Sequence, residues 1–69
     1  MKATTLYDRL IARTDTLLAE LKHEARNQAL RAGQLQETQA QMKEVMNLII
    51  QEGDRELTGE EITKFGADA

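Results

Sequence analysis

Leu6, Leu10, Leu17 and Leu21 are separated by steps of four and seven residues, so in an α-helix all four fall on one line, with Tyr7, Ile11, Leu18 and Ala25 beside it. This recurrence constrains the fold more than any other feature. Nothing forces it to stop: the chain holds no proline and only four glycines among 69 residues. Leu, Ala, Glu, Gln, Arg and Lys dominate, side chains that lose little rotamer freedom in a helix. A second stretch of the same kind, Met42, Val45, Met46, Ile49 and Ile50, follows a weaker middle in which Glu24, Gln28, Arg31 and Thr38 occupy stripe positions. The fold class this predicts is all-α.

The first helix is expected to start at Thr5, whose hydroxyl can cap the first turn, with Asp8 three residues on. Gly33, in the weak middle, permits two readings. It can close the first helix and give a hairpin, or it can lie inside one helix at a cost of about 1 kcal/mol relative to Ala. Gln34 is a poor cap, and no Asn, Asp, Ser, Thr or Pro stands beside Gly33 to build a tight turn. The favoured reading is therefore one long helix over 5–52, roughly 70 Å at 1.5 Å per residue, with a hairpin broken near Gly33 as its competitor. Gly53 is expected to end the helix. Thr58 and Glu61 then have capping-box spacing, flanked by the staple pair Leu57 and Ile62. A short helix over 59–65 should follow, stopped by Gly66 before a frayed 67–69, with Leu57, Ile62 and Phe65 folding onto Val45, Ile49 and Ile50.

A single domain over 1–69 of this size buries too little apolar surface to be comfortably stable alone. With no cysteine, disulfides and thiolate metal sites are excluded, which leaves oligomerisation as the usual remedy. Charge points the same way. Residues 1–33 hold six cations against four acids and residues 34–69 three against eight, within a net charge of −3. A basic half and an acidic half favour an antiparallel neighbour. Arg9 with Arg13, Glu20 with Glu24, and Lys22 with Arg26 are like-charge pairs at i, i+4, each unfavourable in an isolated helix. An opposing surface, either a second copy or a target, explains such blocks.

Chemistry is sparse. The chain has no serine or cysteine nucleophile and no phosphate-binding glycine loop, and amphipathic helices offer little concave volume, so no enzyme and no cofactor are expected. Glu20 and His23 have the Glu-x-x-His spacing of carboxylate-bridged metal sites, but those sites need further carboxylates on facing helices, and a solvated histidine is the simpler reading. Arg9, Arg13, Lys22, Arg26 and Arg31 could meet phosphates. Interleaved acids, the negative net charge and the lack of a stacking platform favour a solvated face instead of nucleic acid. Tyr7, on the apolar side of the first helix, reads as a core or dimer contact whose hydroxyl reaches water or, with Arg9 and Arg13, as a candidate target contact, because Tyr and Arg anchor many interfaces. Leu10, Leu17, Leu21, Val45 and Ile49 are candidates for the core and for self-association. Met42 and Met46, four apart, suit either a core or an adaptable groove. No apolar run reaches the ~20 residues of a membrane span, and MKATTLYDRL has no apolar signal-peptide core, so the expected location is cytoplasmic.

In size, acidity, cysteine-free helical composition and expected dimerisation, the chain resembles the small phage-encoded proteins that inhibit host factors by direct binding, such as quorum-sensing anti-activators and anti-CRISPR proteins. That resemblance implies a homodimer and a host or viral protein partner, and transfers no site residues. Separately, Gly53–Asp54–Arg55–Glu56–Leu57–Thr58–Gly59–Glu60–Glu61 is similar to a stretch in the helical scaffolding segment of phage capsid precursors, which implies an assembly role. The expected function is a non-enzymatic inhibitor or adaptor on a host regulatory protein. A helical scaffold and a nucleic-acid-binding dimer are the alternatives.

Overall fold

The computed structural model describes residues 1–23 and 25–65. Three helices follow one another: α1 (Ala3–His23), α2 (Gln28–Glu52) after a 3-10 turn over Ala25–Asn27, and α3 (Gly59–Lys64). The all-α class predicted from the sequence is what the structure shows. The continuous helix over 5–52 is not. The chain folds back between His23 and Gln28, and α2 runs uninterrupted through Gly33. Lys2 pairs with Glu56, Thr14 reaches Met42 and Glu20 reaches Arg31, so α1 and α2 form an antiparallel hairpin.

The break falls where the apolar stripe is thinnest, so bending there sacrifices the least packing. Folding back covers a stripe that an extended helix would leave in water, and that burial outweighs the weak turn chemistry. Asn27 precedes α2 at φ −115° and ψ 22°, near the sparsely allowed bridge region, and makes no side-chain cap bond. Gly53 ends α2 as expected. It sits at φ 74°, which a side chain would resist, and donates its N–H to the Ile49 carbonyl at 2.8 Å.

The start of α1 also differs from expectation. The helix begins at Ala3, and Thr5 with Asp8 does not cap it. The first two free N–H groups of the turn, those of Ala3 and Thr4, are satisfied from the far end of the chain instead. Ala3 donates to the Arg55 carbonyl at 3.1 Å, and the Thr4 amide and hydroxyl both donate to Asp54 Oδ1 at 2.9 Å. A carboxylate there also meets the positive end of the helix dipole. The Leu57 N–H donates to the Met1 carbonyl at 2.8 Å, so residues 53–58 form a strap across the hairpin's open end.

The strap delivers α3. Thr58 Oγ1 accepts the Glu61 N–H at 3.2 Å and Glu61 Oε1 accepts the Thr58 N–H at 3.0 Å, the reciprocal box read from the sequence. Arg55 grips both carboxylate oxygens of Glu61 and holds Glu52 at 2.8 Å. The expected stop at Gly66 and the tail over 67–69 lie outside the described residues, as does Glu24. The buried core joins Ala3, Leu6 and Leu10 of α1 to Val45 of α2 and to Leu57 and Phe65, with Tyr7, Met42, Ile49 and Ile62 packed against it. Ile50, expected beneath the C-terminal segment, lies in solvent instead, 73% exposed. Nearer the turn, Leu17 and Thr38 are buried, and the Thr38 hydroxyl donates to the Gln34 carbonyl at 2.8 Å. No described helix is long and apolar enough to cross a membrane.

Candidate protein-binding face

The residues assigned to core and self-association separate into two sets once the hairpin closes. Leu10, Leu17 and Val45 are buried inside a single chain, and Leu21 and Ile49 are half-buried. Their apolar surface is spent largely between α1 and α2 of the same molecule. The residues assigned to target contact also part company. Tyr7 is half-buried against the core, whereas Arg9 and Arg13 are exposed. Arg9 follows Tyr7 by two residues, roughly 200° around the helix, so the two project from opposite sides of α1. Among the described residues, Arg9 and Arg13 take part in no ion pair.

What the hairpin leaves uncovered is a continuous apolar surface. On α1 the apolar arc extends from Leu6 round to Ile11, roughly 140° at about 100° per residue. One neighbouring helix covers only part of such an arc. Its outer margin carries Tyr7, Ile11 and Leu18, with Ile11 38% and Leu18 42% exposed. On α2 the matching margin carries Leu35, Met42 and Met46, with Met46 37% exposed. The Thr14 hydroxyl joins the two margins: it donates to the Leu10 carbonyl at 2.9 Å and reaches Met42 Sδ at 3.2 Å. In an antiparallel pair this places both margins on one side of the hairpin.

The other side is occupied. Glu44, Leu48 and Gln51 recur at i, i+4 and i+7 on α2, and with Glu61, Lys64 and Phe65 they line a shallow groove beneath α3. Lys64 reaches Glu44 at 3.8 Å across it. Leu48 stands two residues from Met46, so α3 packs on the flank of α2 opposite the apolar margin. The hairpin therefore has one side covered at its strap end by its own third helix, with Leu30 on the same flank 59% exposed nearer the turn, and one side left open along its length.

Polar groups elsewhere are tied into the fold. Arg31 Nε lies 2.8 Å from Glu20 Oε2 near the turn, with both atoms shielded from water. The N–H is not aimed at the oxygen, so this tie is charge attraction and not a formed hydrogen bond. It removes one of the five cations that could have met phosphates, and it engages the carboxylate of the Glu20–His23 pair. Among the described residues, no three His, Asp or Glu side chains come together as a metal ligand set.

Glu61 is the most perturbed acid. The bidentate Arg55 guanidinium, then the Thr58 N–H, hold its carboxyl down to about 2. Asp54 is held below its ordinary value by the Thr4 amide and then the Thr4 hydroxyl. Both sit at the strap, where they anchor structure away from the open face.

Ile11 and Leu18 were legible in the sequence only as companions of the stripe, and Met46 only within the second stretch, as one of a methionine pair suited to either a core or an adaptable groove. The signal that they face a second neighbour is the stripe's width, which exceeds what a two-helix contact can bury. Compared with protein families, with curated proteins and with solved structures, the chain matches none.

Proposed function

We propose that this chain is a non-enzymatic protein-binding module, in its most specific form an inhibitor or adaptor that docks on a host regulatory protein. The observation that carries the reading is the open apolar face of Tyr7, Ile11, Leu18, Met42 and Met46 on a hairpin whose opposite side is covered at the strap end by α3. Contiguous apolar surface of this kind costs free energy in water and marks interaction sites on soluble domains. Its composition suits recognition of helices: an aromatic anchor, two aliphatic side chains, and two methionines whose flexible, polarizable thioethers adapt to irregular partners. Arg9 and Arg13, exposed on the other flank of α1, provide a second, charged contact region that stays accessible when the apolar face is occupied.

Site-specific photo-crosslinking in the producing cells tests this. A photoreactive side chain at position 11 is expected to capture a distinct polypeptide other than the chain itself, while the same group at position 12, exposed on the side of α1 turned away from that face, captures none. Crosslinks from position 11 to copies of this chain alone would contradict the inhibitor or adaptor reading and favour a helical scaffold.

A further inference from the structure

We infer that the first occupant of the open apolar face is a second copy of this chain, so that two hairpins stack face to face as a four-helix bundle with α1 of each lying over α2 of the other. The inference rests on the reading of that face as a protein-binding surface: the copy holds the face until a target displaces it, so crosslinks from position 11 to copies are expected beside those to the target. Three observations support a copy as the occupant.

Size is the first. The chain measures 40 by 20 by 14 Å, long and thin for its length. Its long sides, 40 by 14 and 40 by 20 Å, have footprints of roughly 600–800 Å², on the scale of the ~800 Å² that each partner contributes to a standard stable interface. The second is the distribution of the core. Of the fully buried side chains, Ala3, Leu6 and Val45 sit toward the end where the strap and α3 join the hairpin, and only Thr38 lies nearer the turn. Toward the turn, α1 and α2 have only each other, with Leu17 and Thr38 buried and Leu18 open. A second hairpin supplies the layer missing there, as neighbouring helices do in four-helix bundles.

Charge is the third. Turning a second copy by half a revolution about an axis along the hairpin lays α1 on the other copy's α2 and keeps all adjacent helices antiparallel. The contact of Thr14 with Met42 sets the levels of the two helices within one chain. At unshifted height, Asp15 on the outer edge of α1 then lies within about one helical turn of Lys43 on the outer edge of the other copy's α2. Both are exposed, and among the described residues neither takes part in an ion pair within the chain, so the interface would supply each with an opposite charge. Twofold symmetry makes the pair twice. Arg9 and Arg13 remain outside the bundle.

Light scattering on a size-exclusion column across a concentration series is the test. The expected mass is twice the 7.8 kDa of one chain. Ile11→Glu with Leu18→Glu should weaken dimerisation on the order of 100-fold or more, because it places unpaired carboxylates inside the contact. The variant should keep its helical circular dichroism, since neither side chain is buried in the hairpin. Lys43→Glu should weaken the dimer roughly five-fold, and adding Asp15→Lys should restore it. A single-chain mass at every concentration overturns the inference. A dimer that survives Ile11→Glu with Leu18→Glu overturns it too, since exchange of α1 between copies would leave that face open. An unaffected Lys43→Glu overturns the α1-over-α2 arrangement. The crosslinks from position 11 decide the protein-binding reading separately, because a monomer that still captures another polypeptide loses only the second copy.

Discussion

Leu6 has no accessible surface, and it lies where α1, α2, the strap and α3 converge. Leu6→Ala removes its apolar area and leaves a cavity that four separate elements must collapse to fill. The expected loss is about 2–5 kcal/mol, a large share of the stability of so small a domain, measured as a shift in urea midpoint. Thr38 shows the opposite economy. It is a polar residue in a buried stripe position, and its hydroxyl is accepted by a carbonyl of its own helix, so no polar group is left without a partner. The sequence displayed Thr38 as a gap in the stripe, and only the local hydrogen bond reveals how the gap is tolerated.

Gly33 separates the two readings of the chain's middle. It lies inside α2, and nothing within 4 Å would meet a Cβ there. Gly33→Ala should therefore stabilise the protein by about 1 kcal/mol, read as a higher urea midpoint, whereas a left-handed helix end at this position would make the same change destabilising. The helices and the capping box of α3 were legible because they depend on spacing within a few residues. The break near Asn27 and the start at Ala3 were not. The first depends on where the stripe can best be sacrificed, and the second on Asp54 and Arg55 reaching Ala3 and Thr4 from the other end of the chain.

The same strap makes a pH prediction. Glu61 and Asp54 have folded-state values below their ordinary ones, so each stabilises the fold above its ordinary value and ceases to do so as pH falls through its folded one. For Glu61 the window runs from its ordinary 4.5 down to about 2. Amide exchange of residues 57–65 is expected to accelerate across this window before the α1–α2 hairpin opens, and Glu61→Gln should shift the acid dependence of that exchange. Simultaneous loss of protection in all three helices would contradict the separate role assigned to the strap.

At the scale of the molecule, an all-α fold and a cluster of apolar candidates could be read from the sequence, but their division between inside and outside could not. Leu10, Leu17 and Val45 close the hairpin, while Ile11, Leu18 and Met46 remain on its open side. The stripe's breadth on α1 was the sign of two neighbours, and it acquires meaning only once α2 is known to take the first. The absence of cysteine permits a direct check of the face. Single cysteines at positions 11 and 9 can be labelled with a thiol reagent at rising protein concentration and then in the producing cell's extract. Labelling of Ile11→Cys is expected to slow markedly as the face is covered, while Arg9→Cys continues to react at its dilute-solution rate in the concentration series. Equal, concentration-independent rates at both positions, unchanged in extract, would contradict the assignment of this face as the binding surface.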